Sequence, residues 1–416
     1  MSTEKQSTVA PTTRVPDERL IEYEGVRGMF QNMGRRVRGG ELGFLPVVVG
    51  LAIIWTIFGS LNSAFLSPTN LSNLLMQSAG VGTIALGIVC VLLVGNIDLS
   101  VGSISGLSAA ILASVFVKME YPVFIAVLAS VAAAILIGLL YSFIHLRFGV
   151  PAFVITLAGL LAFRGMKLWV LGTQGSINLP YDSFLVRLGQ TLFIPTTVSY
   201  IIIAIIAASI LLFGLEHARR RKASGLSATP TSVLIMQAVG LAIILAAAAW
   251  YLNRGRGIGW MFALFVALVV LMHYALKRTK WGRAVYAVGG NQEAARRAGI
   301  NVSAIMTSTF VLGAVFAALG GILMAGRLAA ASQSAGNNLE LSAIAAAVIG
   351  GTSLFGGRGR AFSALLGVLV IQSVDNGLIL LDLESSYRFM VTGAVLLIAV
   401  IVDSAASKSR RTHGRE

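Results

Sequence analysis

Charge is scarce in this sequence. Asp, Glu, Lys and Arg make up 12% of its 416 residues, against roughly a quarter in soluble domains. Hydrophobic residues make up 56%, and the mean hydropathy is +0.83. These values exclude an ordinary soluble domain and point to a polytopic membrane protein. Cysteine is nearly absent: Cys90 stands alone in an apolar run, so no disulfide can form within the chain. His145, His217, His273 and His413 are scattered through span ends and tails and make no metal constellation. There is no Gly-Lys dipeptide, hence no Walker loop to cradle a nucleotide phosphate, and no LSGGQ-type signature. Converging acids, or a nucleophile beside a base, are also missing, which leaves no basis for a membrane enzyme.

What is present is a series of apolar runs. A span needs roughly 20 apolar residues at a rise of about 1.5 Å each. On that ruler the runs are Leu42–Leu61, Leu71–Val94, Leu99–Val117, Pro122–Leu146, Val150–Leu171, Val198–Leu215, Val233–Leu252, Ile258–Leu276, Ala304–Arg327, Leu341–Phe355, Ala361–Leu380 and Tyr387–Val402. The fold class is therefore all-α, a polytopic transmembrane helix bundle of about 10–12 spans, some of them broken or re-entrant. Residues 1–40 read as a polar N-terminal tail without a signal-peptide core, 41–404 as the transmembrane domain, and 405–416 as a C-terminal tail. The net charge of +15 would suit nucleic acid, but the cations lie in short runs at span ends, where the positive-inside rule accounts for them. Both termini, the Arg219–Lys222 loop and the Lys277–Arg297 loop then fall in the cytoplasm. Glu120, Asp182, Glu340, Asp382 and Glu384 fall outside, with Arg254 and Arg256 as exceptions.

The longest polar interruption in the second half is Gly282–Val302, which closes on the run GGNQEAARRAGINV. Gly289 and Gly290 predict a turn there. Asn291 can then cap a short helix, because its side-chain oxygen can accept from a first-turn N–H. Ala294, Ala295 and Ala298 favour that helix. Glu293 and Arg297, four apart with Arg296 beside them, share a face and can pair. Gly299 suits the left-handed residue that closes it. Such a compact helix between two spans is either a solvated connector or a handle for another protein.

Two acids stand at membrane depth on this reading, Asp98 and Asp375. A carboxylate there is costly and is usually paired or functional. Asp98, with Ser100 after it, sits where a span breaks and can cap the next helix or meet a solute. Asp375 and Asn376 can hydrogen-bond a solute or a neighbouring helix. Arg164 and Lys167 lie in the outer half of their span and are expected to snorkel to the surface. Gly313, Ala317, Gly321 and Ala325 recur every fourth residue and predict a smooth groove for close helix packing. The stretches GNIDLSVGSISGLSAAI from Gly95 and GGTSLFGGRGRAFSALL from Gly350 align without gaps. That alignment pairs Asp98 with Ser353 and Gly102 with Gly357. It predicts two broken helices running in the same direction, with at least one break on a transport route.

EAARRAGINV, the following Gly/Ala-rich span and IAAAVIGGTSLFGG resemble the membrane subunits of bacterial ATP-binding-cassette sugar importers. GNIDLSVGS at Gly95–Ser103 and SVDNGLILLD at Ser373–Asp382 belong to the same pattern, the latter most like the xylose permeases. The likeness runs from Leu42 to Ser404. It implies a type II importer permease fold in the bacterial cytoplasmic membrane, working as a homodimer in lipid. The loop equivalent to 282–302 would carry a coupling helix seated on a separate ATPase chain. This chain would hold no cofactor and ATP-Mg would sit on that ATPase. A soluble sugar-binding protein would dock outside. Xylose or another pentose is the implied cargo; a stand-alone ion-coupled sugar carrier is the alternative.

Overall fold

A computed structural model describes residues 44–384 apart from 227, and scattered positions from 386 to 401. The two terminal tails and most of the Tyr387–Val402 run lie outside the described residues. Fourteen α-helices account for most of the described residues: α1 (Leu45–Leu61), α2 (Pro68–Leu93), α3 (Val101–Ala113, continued by a π-turn at Ser114–Lys118), α4 (Val123–Phe148), α5 (Ala152–Leu171), α6 (Phe184–Gln190), α7 (Thr196–Ala223), α8 (Thr231–Asn253), α9 (Trp260–Arg278), α10 (Lys280–Gly290), α11 (Gln292–Arg297), α12 (Val302–Leu328), α13 (Leu339–Ile349) and α14 (Phe362–Leu380). The strands β1 (Ser176–Asn178) and β2 (Ala330–Ser332) pair antiparallel, with Ile177 opposite Ala331.

Among the described residues, nine helices are long and apolar enough to cross a membrane. Every predicted apolar run that falls on described residues is matched by a helix. The run Leu341–Phe355 is the exception in length: α13 has 11 residues, about 16 Å, or half a bilayer core. The boundaries have local causes. Ser67 accepts from Asn70 N at 3.3 Å with Pro68 in the first turn of α2. Pro122 and Pro151 precede α4 and α5, and left-handed Gly149 ends α4.

The residues form two compact units. One contains Thr197–Ala248 and so most of α7 and α8, where Gly214 faces Leu234 and Arg220 pairs with Glu216. The other holds the remaining helices around α12. The small residues of α12 do the work that the fourfold spacing predicts, within the chain. A Cβ at Gly87 of α2 would stand 2.8 Å from the Gly313 carbonyl oxygen, and one at Gly313 would stand 2.7 Å from Val91. Gly321 lies directly on the Ser105 backbone of α3, and Gly138 of α4 on the backbone at Val311. Close backbone approach of this kind supplies packing where lipid removes the hydrophobic drive between helices.

Helix α1 is fastened to α14 by Trp55 Nε1, which donates to Ser373 Oγ at 2.9 Å, and by Asn62 Nδ2, which donates to Leu380 O at 2.9 Å. Arg256, one of the two misplaced cations, is held by the protein: it donates to Asn73 Oδ1 at 3.0 Å and stacks on Phe193.

Candidate functional site

The polar loop begins differently from its expected turn. Gly289 and Gly290 are the last residues of a helix, α10, whose Thr279 cap accepts from Gly282 N at 3.1 Å. The helix is possible because Val285 and Val288 are buried while Arg283 and Gly290 face outward or to the side. Asn291 is extended and starts α11, its side chain accepting from Ala294 N at 2.9 Å. Glu293 meets Arg297 at 3.3 Å and Arg296 at 3.5 Å. Gly299 takes φ 82° and Ile300 N donates back to Ala295 O at 3.0 Å, closing α11. Ala295 alone of α11 is buried; Gln292, Glu293, Ala294, Arg296 and Arg297 are exposed.

Both glycine-rich breaks interrupt helices. Helix α2 ends with Gly95 at φ 82°, Gly95 N donating to Leu92 O and Asn96 N to Val91 O. Helix α13 ends with Gly351 at φ 98°, Gly351 N donating to Val348 O and Thr352 N to Ala347 O. This is one glycine-closed helix end used twice. The corresponding glycines are Gly95 and Gly351, one residue off the gapless alignment. The turns that follow do keep the aligned pair. Asp98 Oδ1 accepts from Ser100 N at 2.8 Å, and Ser353 Oγ accepts from Phe355 N at 3.2 Å. Asp98 is not the cap expected for the next helix: it closes a turn two residues long, as Ser353 does, and Ser100 precedes α3 without a side-chain cap. The breaks then diverge, since α3 starts at Val101 and α14 only at Phe362. Gly102 is thus in the first turn of a helix, whereas Gly357 is in a loop with φ 70°.

The two breaks and α10 meet at a single backbone junction. Gly357 N donates to Leu93 O at 2.9 Å. A Cβ at Gly289 would collide with that same Leu93 oxygen and stand 2.7 Å from Gly357 N. A Cβ at Gly356 would stand 2.8 Å from Gly289 O and 2.9 Å from Gly95 N. Tyr286 Oη donates to Gly359 O at 2.8 Å. Burial pushes the Tyr286 hydroxyl above its ordinary range, so it stays protonated and keeps donating. Trp281 Nε1 donates to Ser308 Oγ at 2.8 Å and so holds α10 to α12.

The structure does not gather the other predicted residues at this junction. Asp98 and Ser100 are buried behind the first break, where Thr156 Oγ1 accepts from Leu99 N at 3.2 Å. Asn376 forms a reciprocal amide pair with Asn70, at 2.8 and 3.2 Å, and Asp375 beside it is half-buried. Lys167 does not snorkel. It is 1% exposed, and its ammonium donates to Gln333 O at 2.6 Å, Ala335 O at 2.7 Å and Asn337 Oδ1 at 3.2 Å. Glu340 is not in an outer loop: its side chain reaches Gly102 at the start of α3. The 333–340 stretch has no apolar periodicity, and a lysine inside an apolar span is the one sequence signal that points to it.

The pattern of the family described as "Branched-chain amino acid transport system / permease component" matches residues 70–400, which contain both breaks and α10–α11. The xylose transport system permease protein of Escherichia coli K12 is 36% identical over 365 residues, covering 88% of this chain and 92% of its own length. That of Haemophilus influenzae is 35% identical, covering 87% and 96%. The ribose import permease protein of Bacillus subtilis is 34% identical, covering 88% and 95%. No solved structure matches the chain.

Proposed function

Because the chain belongs to the branched-chain amino acid transport system / permease component family, we propose that it forms the membrane route of an ATP-driven importer for a monosaccharide, a pentose such as xylose. It is a multi-pass permease subunit, not an enzyme. The named function of the xylose and ribose relatives supports the sugar. The chain has no Walker loop, so in this reading ATP-Mg is held by a separate ATPase chain. The observation that carries the reading is the α10–α11 arm. An exposed, self-capped helix projects from it, and its glycine end is joined to both helix breaks. In this reading Asn291, Glu293, Ala294, Arg296, Arg297 and Gly299 form the face seated on the ATPase. Closure of the ATPase then moves Gly289 against Leu93 and Gly357. The route lies between two copies of the chain, and a soluble sugar-binding protein delivers the sugar from outside.

Uptake in vesicles with and without the ATPase chain tests this. Sugar should accumulate only with the ATPase and ATP. Glu293→Lys and Arg297→Glu should each lower uptake and loosen ATPase binding while the permease stays inserted. The direct worth of that exposed pair is below about 1 kcal/mol, so lost stability cannot explain a large defect. Accumulation without ATPase would instead identify an ion-coupled carrier.

The same reading puts both termini and the Arg219–Lys222 loop in the cytoplasm, by the distribution of cations. On a Cys90→Ser background, Ser224→Cys should react with an impermeant thiol reagent in inside-out vesicles and not in intact cells. The reverse pattern would overturn the orientation.

A further inference from the structure

Between β2 and α13 the chain runs without helix through Gln333–Asn338, with left-handed Gly336 (φ 82°) and Asn338 (φ 60°). Its path follows α3. Ala331 of β2 is buried in one cluster with Ala109 and Ala113. Further along, a Cβ at Gly106 would press on Ala335, and one at Gly102 would stand 2.5 Å from Gly336 O. From Ala113 back to Gly102 is about 16 Å along a helix axis. Helix α3 with its π-turn is itself one of the membrane-crossing segments. The stretch therefore descends beside a span, at membrane depth.

Its inner side is well supplied with partners. Lys167 serves two of its carbonyls, Ala335 N donates to Ser332 O at 3.0 Å, and Asn337 N donates to Ser334 O at 3.1 Å. The glycines of α3 admit its backbone. On the outer side Gln333, Ser334 and Asn338 are exposed. Irregular backbone carrying exposed amides and hydroxyls is not tolerated against hydrocarbon. It occurs at membrane depth only where it faces protein or water.

We propose that Ser332–Asn338 lines the solute's aqueous route and that Gln333, Ser334 and Asn338 hydrogen-bond the hydroxyls of a passing monosaccharide. The proposal rests on the permease reading above and adds the groups that touch the sugar. Amide and hydroxyl side chains offer both donors and acceptors, as sugar hydroxyls do. No acid–base or metal chemistry is needed for a solute that is only handed on. Lys167, buried behind the stretch, positions it and does not meet the sugar.

The test uses the full importer in vesicles on a Cys90→Ser background. Ser334→Cys and Asn338→Cys should react with a water-soluble, membrane-impermeant thiol reagent, and reaction should block uptake. Gln333→Leu and Asn338→Leu should lower kcat/KM for xylose uptake about three- to tenfold, the size of one or two lost hydrogen bonds to neutral groups. If a leucine variant fails to insert, labelling of Ser334→Cys decides alone. Reaction only with lipid-soluble reagents would overturn the proposal. So would a disulfide between two copies without aqueous labelling, or wild-type uptake by both leucine variants. ATP-dependent uptake in those cases would leave the importer reading standing; ATP-independent uptake would remove that reading instead.

Discussion

Gly289→Ala should abolish sugar uptake in a permease that still inserts and still binds its ATPase. The added methyl group would collide with the Leu93 carbonyl oxygen and crowd Gly357 N. Both are backbone atoms joined to each other by a hydrogen bond, so neither can swing aside as a long side chain would. Forcing one methyl group into packed surroundings costs about 1–3 kcal/mol. Here the strain falls on the junction between α10 and the two breaks. The expected result is ATP hydrolysis without transport, with uptake reduced by more than about tenfold. Gly290→Ala supplies the control, since a Cβ there meets nothing within 4 Å. Uptake and ATPase activity measured on the same vesicles check the prediction. Wild-type uptake by Gly289→Ala would show that the junction does not carry the movement.

Lys167→Met should lower both stability and uptake. Methionine keeps most of the stem's volume but cannot donate to Gln333 O and Ala335 O. Leaving carbonyls without a donor costs about 1–3 kcal/mol per buried group, and these two are partly buried. The 333–338 stretch should then loosen from the glycine face of α3. Thermal unfolding of the purified protein in detergent should show an earlier transition. Lys167→Arg should recover only part of the loss, because the space beside Gly106 is filled by the Lys167 stem. Unchanged unfolding and uptake for Lys167→Met would return this residue to a peripheral role.

Asp98 and Asn376 illustrate how far a residue type can be read without its neighbours. Each was a polar group in an apolar run, and each could have met a solute. Asp98 closes its own turn through Ser100, an arrangement visible in three consecutive residues. Asn376 is occupied by Asn70, which lies 306 residues earlier in the chain. Nothing in the local pattern around either asparagine names the other. The shift from Gly350 to Gly351 has a similar origin. Two glycines stand side by side, both suit a left-handed turn, and the packing of α13 on α14 decides between them. In that packing Gly350 lies directly on the Ser363 backbone and takes helical φ −69°.

By itself the sequence determined the class of protein, the spans and the α11 helix. A span needs only enough consecutive apolar residues to cross hydrocarbon. The α11 helix is built from Asn291, Glu293, Arg297 and Gly299, whose interactions reach no farther than one turn. Only the tertiary structure decided the junction of Gly289 with Leu93 and Gly357, the burial of Lys167, and the course of Gln333–Asn338 down α3. Those features depend on backbone groups brought together from distant parts of the chain, and many sequences with the same hydropathy could have placed them elsewhere. In lipid, apolar side chains gain little by choosing one neighbouring helix over another. The choice falls to close glycine contacts and to the few polar groups that must find partners.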